Sequence, residues 1–244
     1  MDIQKSFSYP FEDREWPTKL GLGALIGLVP VLGLAWSGYM VEIIRSVMAG
    51  RADPLPTWDD LGRKFADGLI LFAAGLIYAL PLLLLFGIPL TMVLFSGVLS
   101  GSNDLRDVAG TLAGLGGVLF AAFSCVALLY GLALSIVYPA ILVIFARRGT
   151  FSSCFDFAAI TGLISRASGP FFMAWGMSLV AGLLVGAVIS IVTAVVGWIP
   201  CIGWAISLVL TLATGVYVTS IHAHLFGQFG AIAGSGTEVV PAPA

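Results

Sequence analysis

The chain has 244 residues, of which 59% are hydrophobic and only 10% are charged, and its formal net charge is −2. Soluble domains carry about 25% charged residues, so this composition excludes an ordinary soluble protein and indicates an integral membrane protein. The small net charge argues against nucleic acid as a partner, because no basic field would displace counterions from phosphates. The three cysteines, Cys125, Cys154 and Cys201, are odd in number and far apart, which argues against a disulfide framework.

The first predicted elements follow a polar N-terminal segment, residues 1–16, which we place in the cytoplasm. The next uncharged stretch, 20–41, suits one transmembrane span of roughly 20 residues. However, "GLVPVLGLAWS" (27–37) matches "GWIPCIGWAIS" (197–207) in its Gly, Pro, Ala and Ser positions. Because the second copy joins two long hydrophobic runs, the first favours a short helical hairpin over 17–49, with a single span as the alternative.

A charged block, "LPTWDDLGRKFADG" (55–68), comes next. It predicts an interfacial amphipathic helix over 57–66. Thr57 is the expected N-cap, and Asp59 and Asp60 fall in the first turn, where carboxylates favour the helix dipole.

The faces of this helix follow from its spacing. Trp58, Leu61 and Phe65 recur at helical intervals and predict an apolar face that enters the lipid headgroups. Asp60 and Lys64 are four residues apart and predict an ion pair on another face.

Four long transmembrane helices account for the remaining hydrophobic sequence. The uncharged stretches 68–103 and 108–146 are too long for one ordinary span and too short for two, so each predicts a single long, bent helix. The stretch 167–237 holds two spans. The predicted spans are 67–98, 109–146, 170–196 and 203–226, and the predicted bends are at Pro81, Pro89 and Pro139.

Two shorter segments complete the chain. Residues 152–166 predict a second interfacial helix, and the tail 233–244, rich in Gly and Pro, is expected to be disordered. The fold class is therefore all-α, a polytopic helix bundle forming one membrane-embedded domain over 17–232. The expected apolar face of the second interfacial helix consists of Phe155, Ala158, Ala159 and Leu163.

Basic residues set the predicted orientation. Lys and Arg accumulate in the cytoplasmic loops of membrane proteins. The hairpin interpretation places ten of them inside and one, Arg106, outside, whereas a single first span gives seven against four. We therefore expect a protein of the cell (inner) membrane whose C-terminus is cytoplasmic.

Small residues form two ridges on the predicted spans. In lipid, such ridges let a neighbouring backbone approach closely. They predict either packing between these two helices or a seam for self-association or for another membrane protein. The first ridge consists of Ala174, Ser178, Gly182, Gly186, Ser190 and Ala194, and the second of Gly110, Gly114, Gly117 and Ala121 with Ala113 and Cys125.

No set of residues predicts a reaction. No Asp, Glu, Lys or Arg lies well inside a span, which argues against an ion-coupled transporter and an intramembrane protease. His222 and His224 point to different sides of a helix and make a poor metal site. Ser124 and Ser178 have no nearby base. We therefore expect no catalytic residues, no metal and no cofactor.

Three groups of residues carry a resemblance. The groups are Tyr9, Pro10 and Phe11; then Gly38, Tyr39, Glu42 and Arg45; then Leu55, Pro56, Trp58, Asp59, Asp60, Gly62, Phe65, Asp67 and Gly68. On these residues the chain over about 7–80 resembles the domain-of-unknown-function family 4013 of prokaryotic membrane proteins. The resemblance implies an all-helical membrane protein and supplies no activity.

Two functions remain open at this point. The first is a non-enzymatic scaffold or accessory subunit that acts through helix association, with membrane lipid and other subunits or its own copies as partners. The alternative is a passive homo-oligomeric channel, or a carrier of a small or apolar molecule, because a pore that gates by dewetting needs no buried charge.

Overall fold

The computed structural model describes residues 1–51 and 55–234, and over these ranges the regular structure is entirely helical. This confirms the predicted fold class. α8 continues to Gly234, and the rest of the tail predicted to be disordered lies outside the described residues. The helices are α1 (Ile3–Glu12), α2 (Trp16–Gly27), α3 (Ala35–Met48), α4 (Leu61–Leu99), α5 (Arg106–Arg148), α6 (Phe157–Arg166), α7 (Ser168–Val196) and α8 (Ile202–Gly234).

Four of these helices are long and apolar enough to cross a membrane, namely α4, α5, α7 and α8. The shortest, α7, has 29 residues and measures about 43 Å, whereas the hydrocarbon core of a bilayer is about 30 Å thick. α4 continues through Pro81 and Pro89, and α5 through Pro139, so each long stretch is a single helix as predicted.

The chain divides into two compact units, Met1–Phe72 with Tyr138–Ala244 (unit 1) and Ala73–Val137 (unit 2). Unit 2 is a helical hairpin made of the later part of α4 and the earlier part of α5. Its two arms approach closely at Gly116, where an added Cβ would lie 2.9 Å from Val93 Cγ2. Tyr130 reinforces the contact by donating its hydroxyl to the Tyr78 carbonyl at 2.7 Å.

The second half of α8 is the centre of unit 1. Helices α1, α2, α3 and α7 all pack against α8. From Val216 to Ala233 most side chains are buried, whereas the first half of α8 is open, with Trp204 73% exposed. One helix therefore presents an apolar surface to its surroundings at one end and forms a protein core at the other.

α2 and α3 form a helix–turn–helix over the first hydrophobic stretch. They contain 12 and 14 residues, or about 18 and 21 Å, so neither crosses a bilayer alone. Trp36 Nε1 donates to the Gly23 carbonyl at 2.8 Å and ties the two arms together. The two similar segments, 27–37 and 197–207, thus both form turns between helices.

The predicted interfacial helix over 57–66 is wrong as a separate element. Residues 55–60 are irregular, and α4 begins at Leu61 and continues into the span. The capping group is Asp60, whose Oδ1 accepts from the Arg63 amide at 3.2 Å, in place of Thr57.

Packing within the protein explains the difference. Trp58 is only 8% exposed, so it lies in the core instead of the headgroups. Lys64 pairs with Glu42 and not with Asp60. The tertiary contacts of these two side chains outweigh the local helix-start signals.

The second predicted interfacial helix is divided. Residues 151–155 form a 3-10 turn, and Asp156 caps α6 by accepting from the Ala159 amide at 2.9 Å. The buried side of α6 carries Ile160 and Leu163, while Ala158 of the expected apolar face is exposed.

Candidate functional site

Residues from two of the three groups that carry the family resemblance come together where α3 meets the start of α4. The Tyr39 and Trp58 rings stack with their centroids 4.4 Å apart and their planes 7° from parallel. Trp58 Nε1 also donates to the Lys19 carbonyl at 2.8 Å. Both side chains are buried, so one aromatic pair joins α2, α3 and the segment before α4.

Two ion pairs flank this aromatic contact. Lys64 Nζ lies 2.7 Å from Glu42 Oε2, and Arg45 Nη1 lies 2.6 Å from Asp67 Oδ2. Arg45 Nε donates to the Ala146 carbonyl at 2.9 Å, which adds the end of α5 to the cluster. The Lys64 side chain is 3% exposed, and a buried ammonium of this kind requires its partner to remain charged.

Two glycines permit the close approach of these helices. A Cβ at Gly38 would collide with the Lys64 carbonyl oxygen, and a Cβ at Gly68 would collide with the Leu34 carbonyl oxygen. Backbone contact at this range is open only to glycine. We call this set the α3–α4 clamp, comprising Gly38, Tyr39, Glu42, Arg45, Trp58, Lys64, Asp67 and Gly68.

A third ion pair anchors α2 beside the clamp. Lys19 Nζ lies 2.6 Å from Asp13 Oδ2 and donates to the Leu55 carbonyl at 3.2 Å. Burial alone would raise the pKa of Asp13, but the hydrogen bonds from Lys19 and the Glu15 amide, together with the Lys19 charge, bring it below its ordinary value. Asp13 therefore remains a carboxylate in this partly buried position.

The Tyr39 hydroxyl has no hydrogen-bond partner among the described residues. Burial raises the pKa of Tyr39, and the carboxylates of Asp13 and Glu42 raise it further. The phenol therefore remains neutral and is no candidate for a base.

The other predicted residues of the charged block differ in exposure. Leu55 and Pro56 are buried, Phe65 is half-buried, and Asp59, Asp60 and Gly62 are exposed. The aspartates at the start of α4 thus occupy a solvated helix end. Within 1–51 and 55–234, no three His, Cys, Asp or Glu side chains gather as metal ligands.

A second polar cluster, which the sequence did not reveal, attaches α1 to α8. His224 stacks on Tyr9 with the ring centroids 4.2 Å apart, and its Nδ1 lies 2.9 Å from Ser6 Oγ and 3.0 Å from Gln228 Nε2. The Tyr9 hydroxyl donates to the Ser220 carbonyl at 2.9 Å. In the sequence, the residue of this cluster that had been singled out by its motif was Tyr9, the tyrosine of the Tyr-Pro-Phe triplet. Its side chain packs against α8.

Gln228 also holds Asp2, the residue that caps α1. Gln228 Oε1 accepts from the Asp2 amide at 2.6 Å, and its Nε2 donates to the Asp2 carbonyl at 2.9 Å. The same Nε2 lies 3.0 Å from His224 Nδ1 and 3.2 Å from Ser6 Oγ, so it can donate its second hydrogen to either of them. His222 lies on another side of α8, with its Nε2 3.0 Å from the Ser178 carbonyl.

The first of the two small-residue ridges, from Ala174 to Ala194, lies on α7, and we call it the α7 ridge. It is buried at one end only. Ala174 and Ser178 are buried, whereas Ser190 and Ala194 are exposed. A Cβ at Gly182 or Gly186 would meet no atom within 4 Å. The second ridge is exposed along its length, at Gly110, Ala113, Gly114, Gly117, Ala121 and Cys125.

Comparison with known protein families finds a family model that matches this chain. The model of a family described as a protein of unknown function (DUF4013) matches residues 21–195, which is most of the chain. No curated protein and no solved structure gives a significant match.

Proposed function

This chain belongs to the DUF4013 family of proteins of unknown function, and from that premise we propose that it is a non-enzymatic scaffold or accessory subunit. It acts by helix association within the cell (inner) membrane. Its partners are lipid and further transmembrane helices, from its own copies or from other subunits. The basic residues near the helix ends favour a cytoplasmic C-terminus.

The uncovered half of the α7 ridge carries this proposal. Gly182 and Gly186 present bare backbone in the middle of an apolar helix, and of the ridge residues only Ala174 and Ser178 are buried within the chain. Lipid tails gain little from such a surface, whereas another helix gains close van der Waals contact. A role as a scaffold also agrees with the clamp, whose charged groups pair with one another across helices.

The test is the double variant Gly182→Leu/Gly186→Leu. We expect the fraction of assembled protein, measured by cross-linking in native membranes and by mass in mild detergent, to fall at least about tenfold, the equivalent of about 1.4 kcal/mol. The matched control is Gly75→Leu/Gly87→Leu, two glycines of α4 whose added Cβ atoms would also meet no atom within 4 Å.

The outcomes separate the candidate functions. Loss of a co-purifying subunit in the ridge variant alone supports an accessory role, and loss of a homo-oligomer supports self-association. A symmetric homo-oligomer that conducts ions in planar bilayers would favour the passive channel instead. Equal assembly of both variants and the wild type would overturn the proposal.

A further inference from the structure

The hairpin formed by α2 and α3 packs along α8 at a fixed height. We call it the α2–α3 hairpin, and its turn, residues 28–34, the tip. A Cβ added at Gly215 of α8 would lie 3.0 Å from the Trp36 ring, and one at Gly227 would lie 2.6 Å from Val47. Both contacts advance together along the two helices, so α3 runs beside α8 in the same direction and α2 runs in the opposite one.

The α2–α3 hairpin ends well before α8 does. α2 and α8 are level at Gly23 and Val216, where a Cβ on the glycine would lie 2.9 Å from Val216 Cγ2. From that level α8 extends about 21 Å to its first residue, Ile202, whereas α2 extends only about 6 Å to its last, Gly27. The two helix ends thus differ in height by about 15 Å, which is half of a hydrocarbon core of about 30 Å.

Aromatic side chains mark the far end of the longer hairpin, which α7 and α8 form. Trp198 and Trp204 lie in and just after the turn between these helices, and they are 88% and 73% exposed. Tryptophans of membrane proteins are enriched at the interface between membrane and water. With the α7–α8 turn at that interface, the tip of the α2–α3 hairpin lies near the middle of the bilayer.

The surface and the backbone of the tip both suit hydrocarbon. Residues 20–41 contain no charged side chain, and Leu25, Val29 and Val31 are 59%, 47% and 63% exposed. Irregular backbone needs partners within the protein where no water is present. Four amides of the tip bond to carbonyls of the same hairpin, and Pro30 has no amide hydrogen. These amides belong to Leu28, Val29, Gly33 and Leu34.

We propose that the α2–α3 hairpin is a re-entrant wedge, which inserts into one leaflet only and is covered there by acyl chains. The leaflet is the one on the side of α1, because α1 is bound to the end of α8 that lies farther from Ile202. Acyl chains are the occupant because the exposed residues of the hairpin are level with α8 near Val209, itself 50% exposed, which the same bilayer surrounds. The inference goes beyond the proposed scaffold role and does not depend on the α7 ridge.

The first experiment measures depth in the full chain. In a variant lacking the three native cysteines, a bimane fluorophore is attached to Val31→Cys at the tip, to Val188→Cys in α7 or to Ile199→Cys in the α7–α8 turn, all of them exposed positions. Each protein is placed in phosphatidylcholine vesicles with a nitroxide near the headgroup end or near the methyl end of an acyl chain. We expect the methyl-end nitroxide to quench the Val31 probe more strongly, as it does the matched Val188 control, and the headgroup-end nitroxide to quench the Ile199 probe more strongly.

The second experiment tests whether the chain returns to the side from which it enters. Gln4 and Arg51 flank the α2–α3 hairpin at exposed positions. We expect an impermeant maleimide to label Gln4→Cys and Arg51→Cys from the same side of the membrane. Thermal unfolding beside the parent protein verifies that every variant folds.

Three results would overturn the proposal. The first is labelling of the two flanking positions from opposite sides. The second is stronger quenching of the Val31 probe by the headgroup-end nitroxide or by aqueous iodide, which would place the tip at the surface or in water. The third is protection of that probe from iodide and from both lipids, which would indicate cover by a second protein chain. Because the wedge is scored by depth and the α7 ridge by assembly, failure of one proposal leaves the other intact.

Discussion

Two buried tyrosines of unit 1 differ in a single hydrogen bond. The Tyr9 hydroxyl donates to the Ser220 carbonyl, whereas the Tyr39 hydroxyl has no partner among the described residues. We expect Tyr9→Phe to lower the free energy of unfolding by about 1 kcal/mol, and Tyr39→Phe to leave it unchanged or raise it slightly, because no hydrogen bond is lost. Parallel unfolding titrations in detergent measure both, and an equal loss in the two variants would contradict this reading.

The Asp13–Lys19 pair makes stability depend on pH. The pKa of Asp13 is lowered in the folded protein, so the pair stabilises the fold above the ordinary carboxyl pKa of about 3.9 and loses its effect as pH falls through the lower folded value. We expect Asp13→Asn to lower stability at neutral pH by roughly 2 kcal/mol, because Lys19 loses a charged partner.

The same substitution should flatten the acid limb of the stability curve. Thermal unfolding across the acidic range measures this, with Asp104→Asn, an exposed aspartate between α4 and α5, as the control. If Asp13→Asn and the wild type lose the same stability on acidification, the ion pair is not the titrating contact.

Between elements, the α3–α4 contact depends on the absence of a side chain. A methyl group at Gly38 would collide with the Lys64 backbone, whereas one at Gly62, on the exposed start of α4, would meet nothing within 4 Å. We expect Gly38→Ala to destabilise the protein by about 3 kcal/mol or more. Gly62→Ala should be neutral, or stabilising by up to about 1 kcal/mol through better helix propensity. Unfolding of the two variants side by side is the measurement, and tolerance of Gly38→Ala would refute the close contact.

Local patterns predicted the helices well and the clamp poorly. The Gly-Pro segments predicted both turns, because the residues that end a helix act within a few positions. Trp58, by contrast, lies on an amphipathic pattern that suits the headgroups equally well. Only its stacking on Tyr39, 19 positions away in sequence, places it in the core. Contacts between residues far apart in sequence depend on tertiary packing, and the spacing of residues along one segment does not predict them.

The ridges show the same limit. Four-residue spacing predicted a closely packed face on α7, and Ala174 and Ser178 of that face are buried. The spacing did not show where the buried part of the ridge ends. Gly182 continues the same spacing, yet a Cβ added there would meet no atom within 4 Å. On α5, the close contact with α4 uses Gly116, which is outside the predicted ridge.

For the whole molecule, the orientation of the helix ends is testable directly. In a variant lacking the three native cysteines, single cysteines at the exposed positions Gln4 and Ser152 report the two segments that we place in the cytoplasm. We expect an impermeant maleimide to label both Gln4→Cys and Ser152→Cys in inside-out vesicles and neither in intact cells. Labelling of position 4 alone in intact cells would contradict the hairpin and require the segment of α2 and α3 to cross the membrane once, as the single-span alternative predicts.

Because α8 is the centre of unit 1, its position in the chain also determines when unit 1 can finish folding during synthesis. α1 is bound to α8 through Asp2 and Gln228, which are 226 positions apart in the chain. Until the ribosome has made the second half of α8, helices α1, α2, α3 and α7 lack the helix against which they all pack, and His224 and Gln228 are not yet present to contact Ser6. Biogenesis therefore ends in a closing step after all the earlier helices have inserted. A nascent chain arrested before Val216 should remain a substrate for membrane chaperones and proteases, however well its first helices are placed.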